Sequence, residues 1–133
     1  MNATMTTLTH QLDVNAGVLN IIIPGDILST NADTLRDELF GLLESTPIQT
    51  GTWDVLKLDL TGAQMVDSVG LNLIVSVVRA VKARHGKVEA TIRSTNIHRT
   101  FSFTRLDKQI NVTKVEAHST RENDSAAAPS ATL

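Results

Sequence analysis

No cysteine occurs anywhere in the 133 residues. That excludes disulfide stapling, thiolate metal ligation and thiol chemistry, and it fits a reducing compartment. Tyrosine is missing too, tryptophan occurs once, at Trp53, and aromatics total 3%. So few rings cannot build a platform on which nucleic-acid bases stack. Neither sign of charge dominates: 12 Lys and Arg stand against 14 Asp and Glu, a net charge of -2. Nothing in the totals favours nucleic acid or an anionic membrane surface. The apolar runs are far too short to span a bilayer, and the polar, Thr-rich start has no signal-peptide pattern. The expected location is the cytoplasm. His10, His85, His98 and His118 show no metal-ligand spacing, and no P-loop or dinucleotide fingerprint follows a strand. No metal and no cofactor are expected.

What is present suits one globular domain with a modest core, with 41% hydrophobic and 20% charged residues. Residues 1–10 read as a flexible start, 11–116 as the domain, and 117–133, rich in Ser, Thr and Ala, as a tail that cannot bury enough apolar surface to order itself. Gln11–Val14 and Val18–Ile23 read as strands joined by the hairpin residues Asn15, Ala16 and Gly17. Thr30 with Asp33 resembles a capping box for a helix over residues 31–44, along which Leu35, Leu39, Leu42 and Leu43 repeat at helical spacing. Asp54–Leu60 alternates as a strand. The run 69–85 carries Leu71, Ile74, Val77, Val78 and Val81 on one stripe, cations in its last turns, and Gly86 as terminator. A strand over 88–92, a shorter helix through Ile97, Phe101 and Leu106, and a last strand over 110–115 complete the order β-β-α-β-α-β-α-β. The fold class is α/β, a mixed, mostly parallel sheet with helices packed on it.

The junction between the strand 54–60 and the helix that follows is the passage with chemistry in it. Asp67-Ser68-Val69-Gly70-Leu71 puts Ser68 where a helix begins, among N–H groups without helical partners and at the positive end of the dipole. Such a place accepts a phosphate. The bland alternative makes Ser68 or Asp67 a helix cap and Gly70 a packing glycine. Asp26 reads as a turn residue, in a loop that a parallel sheet can bring to the same edge, and Asp59 as structural. The cluster Arg79 to Lys87 reads as a solvated helix end, and Trp53 as cover for a sheet edge or for the first helix.

Motif and element order together resemble the STAS family, in particular single-domain bacterial anti-sigma factor antagonists. The resemblance covers roughly residues 11–115 and is sharpest from Leu56 to Gly86, with weaker agreement at Pro24-Gly25-Asp26-Ile27 and Arg84-His85-Gly86-Lys87-Val88. It implies that Ser68 is phosphorylated by a serine kinase of the histidine-kinase-like ATPase type. That kinase is often itself the anti-sigma factor, which the unphosphorylated antagonist binds, freeing a sigma factor. A PP2C-type phosphatase resets the switch. Asp26, Asp67, Ser68, Val69, Gly70 and Asn72 are the expected partner-binding residues, and a monomer is the default. Two positions depart from the family's habit: Val69 replaces a second hydroxyl, and Asn72 stands where a small Gly is common.

Rival classes fit less well. A serine hydrolase needs a Gly two residues before its Ser, where this chain has Val66. A response-regulator receiver resembles other receivers in an acidic pair after the first strand, and Ile21-Ile22-Ile23-Pro24 offers none. The reading within the fold that competes is a constitutive scaffold or accessory subunit, of a stress-signalling complex or a lipid transporter, indifferent to Ser68 phosphorylation. Catalysis is not expected.

Overall fold

The computed structural model describes residues 8–45 and 53–115. Strands β1 (Thr9–Asp13) and β2 (Val18–Ile22) form the opening hairpin, followed by helix α1 (Ala32–Glu44) and strand β3 (Val55–Leu60). Helix α2 (Ser68–Ala83), strand β4 (Lys87–Ile92), helix α3 (Thr95–Phe103), a single 3-10 turn (Leu106–Lys108) and strand β5 (Asn111–Lys114) complete the domain. β1 begins two residues before the expected Gln11, and Leu8 is already in the core. The expected tail lies outside the described residues.

Strand order in the sheet follows chain order, β1-β2-β3-β4-β5. β1 runs antiparallel to β2, and every later neighbour is parallel. Right-handed crossovers that all step the same way across a sheet set their helices on one face. Burial agrees. Leu19, Ile21, Leu56, Leu58, Leu60, Val88, Ala90 and Ile92 are buried, whereas their neighbours Asn20, Lys57 and Glu89 are not. The buried face meets Leu35, Leu39 and Leu43 of α1, a wide stripe of α2, and Ile97 and Phe101 of α3.

Several expectations shift by a helical step. The α2 stripe is Gly70, Leu73, Ile74, Val77, Val78 and Val81. Leu73 is fully buried and Leu71 only partly, because a helix with so few polar positions leaves its phase weakly marked. The Thr30–Asp33 capping box does not form. α1 starts after Asn31, whose side chain turns back to accept from the Leu28 N–H (2.9 Å) and donate to the Asp26 carbonyl (2.8 Å).

α2 ends in a Schellman arrangement, in which Gly86 N–H donates to Val81 and His85 N–H to Lys82. The left-handed residue is His85 (φ 65°), not Gly86. Gly86 is required for space: a Cβ there would lie 2.8 Å from Val81 Cγ1 and 3.1 Å from the Asp54 carbonyl oxygen. Arg84 is likewise more than a solvated charge. Its guanidinium lies 4.9 Å from the ring centroid of the buried Trp53 and donates to the Leu43 carbonyl (3.1 Å). It thereby satisfies the end of α1, which has no basic residue of its own in its last turn.

Candidate functional site

Because β2 and β3 are parallel neighbours, the loops that leave them emerge at the same edge of the sheet. Residues 23–31 and 61–67 are laced together there. Ile27 and Val66 form an isolated parallel bridge, with Ile27 N–H donating to Met65 (3.2 Å) and Asp67 N–H to Ile27 (3.2 Å). Asp26 Oδ1 accepts from the N–H groups of Gln64 (2.7 Å) and Met65 (3.2 Å). Two glycines make the fit possible. A Cβ on Gly62 would overlap the Pro24 carbonyl oxygen, and one on Gly70 the Ile27 carbonyl oxygen.

Asp67 is the cap of α2 and Ser68 the first helical residue. The Asp67 carboxylate spends both oxygens on backbone donors: Oδ1 accepts from Gly70 N–H (2.8 Å) and Oδ2 from Ser29 N–H (2.8 Å), in the other loop. These donors, Gly70 first and Ser29 second, hold its carboxyl below the usual carboxylate range. A carboxyl lowered by folding stabilises the fold above its unfolded value, and that contribution disappears as pH falls through its folded value. Asp67→Asn keeps a capping side chain without the titration. The wild type should lose more stability than Asp67→Asn between pH 6 and pH 3 in denaturant melts; parallel curves would refute the assignment.

With the cap supplied by Asp67, the Ser68 side chain is exposed and, among the described residues, makes no hydrogen bond. Around it the structure places Val69 (41% exposed) and Asn72, one turn further along the helix and also exposed. Met65, 52% exposed on the neighbouring loop, joins this rim. Sequence reading passed over Met65, because nothing in the pattern of an irregular loop says which residue faces out. Gly70, expected among the contact residues, is instead buried beneath Ile27, so it shapes the surface without presenting a group to it. Asp26 is half-buried and clamps the loops, but its carboxylate does reach the edge that carries Ser68. Ser94 is a second residue that sequence reading missed. It caps α3 through Ile97 N–H (3.3 Å) and donates to the Gln64 carbonyl (2.9 Å), tying a third loop to this edge. A Ser three residues before the buried Ile97 was the available signal. Among the described residues no group of three His, Asp or Glu could hold a metal ion, and no helix is long and apolar enough to cross a membrane.

A model of the STAS domain matches residues 9–120. The chain belongs to the STAS domain family. Solved STAS-like structures share its fold at low identity. An anti-sigma factor antagonist from Mycobacterium paratuberculosis superposes with a TM-score of 0.64 at 19% identity, over 81% of this chain and 86% of that one. SpoIIAA from Bacillus, in its phosphorylated form, gives 0.56 at 17% identity, over 80% and 92%. The unphosphorylated form of SpoIIAA, also an anti-sigma factor antagonist, gives 0.54 at 16%, over 83% and 90%. No curated protein matches the chain in sequence. This STAS domain therefore shares its architecture with regulatory antagonists, and its Asp67–Ser68 junction lies on the edge formed by three strand-to-helix loops.

Proposed function

We propose that this STAS domain is a phosphorylation-controlled anti-sigma factor antagonist. Unphosphorylated, it docks the edge around Ser68 on an anti-sigma factor that is also a serine kinase of the histidine-kinase-like ATPase type, and so frees a sigma factor. The kinase transfers phosphate to Ser68, and a PP2C-type phosphatase removes it. The observation that carries this reading is the division of labour at the start of α2: Asp67 caps the helix, leaving the Ser68 hydroxyl exposed and uncommitted.

The remaining geometry supports the same reading. Met65 and Val69 offer apolar area for a partner to cover, and Asn72 a polar contact on the same helix. A phosphate on Ser68 adds about -1.5 to -2 charges. It would stand beside Asp67, a carboxylate whose lowered pKa prevents it from relieving the repulsion by taking up a proton near neutrality. The fold tolerates the dianion because the helix end is positive and open to water. A partner surface pressed against it does not.

The test is intact-mass analysis of the protein after incubation with ATP and extract of its native cell. Wild type should gain one phosphate, located at Ser68 by fragmentation, and Ser68→Ala none. A wild type that stays unmodified while still capturing its partner would make this a constitutive scaffold of the same fold.

A further inference from the structure

Among the described residues, helices cover one face of this sheet and none covers the other, an unusual state for a sheet in which three of four pairings are parallel, since such sheets are commonly covered on both. The uncovered face has an ordered pattern. Across its middle the paired residues run Gln11, Asn20, Lys57, Glu89, Asn111 from β1 to β5. Lys57 and Glu89 stand 3.9 Å apart with side chains 52% and 39% exposed, so each keeps much of its charge available outward. The next row reads Ile22, Asp59, Thr91, Thr113, with Ile22 47% exposed on an otherwise polar row.

From β2 to β5 the central row reads amide, cation, anion, amide, with Gln11 of β1 lying outside the mirrored set. Two such faces can be laid together about a two-fold axis that runs along the strands between β3 and β4. This operation reverses the order of strands but keeps their direction, so each position meets the one mirrored across the β3–β4 line. Lys57 then meets Glu89 of the second copy, Glu89 meets its Lys57, and Asn20 meets its Asn111. In the next row Ile22 meets Thr113 and Asp59 meets Thr91. No like charges coincide in either row. A two-fold axis at right angles to the strands would instead set Lys57 on Lys57 and Glu89 on Glu89. The charge pattern therefore selects one of the two aligned packings that sheets adopt.

We propose that the helix-free face is a self-association surface, on which a second copy of this chain packs with Lys57 of each copy against Glu89 of the other. The face is small. The four strands that mate, about 4.8 Å apart and about five residues tall, present roughly 300 Å², less than half the usual ~800 Å² per partner. The dimer is accordingly weak and concentration-dependent. It leaves the Ser68 edge free, because that edge lies at the ends of the strands and not on the face.

Sedimentation equilibrium of the full chain up to millimolar concentration is the direct test. Wild type should approach twice the chain mass. Lys57→Glu, which sets the new carboxylate of each copy against Glu89 of the other, should raise the midpoint concentration at least about 100-fold. The exchange Lys57→Glu with Glu89→Lys should restore it. A second pair of variants separates association from stability within one chain. Asn20 and Asn111 are three strands apart, about 14 Å, so charges placed on them interact little within a copy but meet directly across the proposed interface. Asn20→Arg with Asn111→Arg should abolish the dimer, and Asn20→Asp with Asn111→Arg should tighten it. Thermal melts by circular dichroism would establish that each variant is folded. If wild type and the Asn20→Asp, Asn111→Arg variant both stay monomeric at millimolar concentration, or if charge reversal at Lys57 leaves the midpoint unchanged, the proposal is overturned.

Discussion

Ser68→Asp is expected to weaken binding of the proposed anti-sigma partner at least about 100-fold, about 3 kcal/mol, whereas Ser68→Ala binds like wild type. The size follows from where the charge goes. Ser68 is exposed in the free protein, so a carboxylate there is solvated and even favourable at the first turn of α2. Docking on the proposed partner would strip that water and leave the charge beside the Asp67 carboxylate, which its backbone donors keep below the usual carboxylate range. The free energy lost is thus a property of the complex, and the melting temperature of Ser68→Asp should equal or slightly exceed that of wild type. Calorimetric titration of the purified partner checks the binding, and a thermal melt of the free variant checks the stability. Binding of Ser68→Asp within about threefold of wild type would refute charge exclusion as the switch.

Gly70→Ala is expected to cost about 3 kcal/mol of folding stability, which lowers Tm by roughly 10 °C. Helix propensity points the other way, since Ala is favoured over Gly by roughly 1 kcal/mol inside a helix. Sterics decide. The added methyl would overlap the Ile27 carbonyl oxygen and stand 2.8 Å from the Ile27 carbonyl carbon, and backbone cannot swing aside as a side chain can. Ile27 is itself held by Met65 and Asp67, so pushing it away loosens the whole lacing of the two loops. Partner binding should therefore fall together with stability, even at temperatures where the variant stays folded. Equal or greater stability of Gly70→Ala in urea melts would show that α2 does not rest on Ile27 as described.

The architecture was legible because the strands and helices differ in period. Leu56, Leu58 and Leu60 alternate, Leu35, Leu39 and Leu43 step by four, and all six proved buried. The Asp67–Ser68 junction was legible because a strand, a short loop and an amphipathic run leave only one place for the helix to start. What escaped was long-range or phase-dependent. That Asp67 would cap α2 while reaching Ser29 in another loop depends on the bridge between Ile27 and Val66, which no local pattern encodes. The left-handed residue at the end of α2 fell on His85 because Gly86 was needed to make room for Val81, two demands that both suit glycine. Arg84 looked like one more surface cation until the folded chain set Trp53 beneath it.

That stacked pair gives the protein an optical gauge. Trp53 is its single tryptophan and no tyrosine contributes to the emission, so intrinsic fluorescence reports one buried indole under one guanidinium. The indole sits just before β3 begins, whereas Ser68 follows the loop after β3 ends, so the two lie at opposite ends of the strands. A change in its spectrum therefore signals loosening of the packed end where α1 and α2 terminate, and docking at the Ser68 edge can be followed by other means without the two signals being confused.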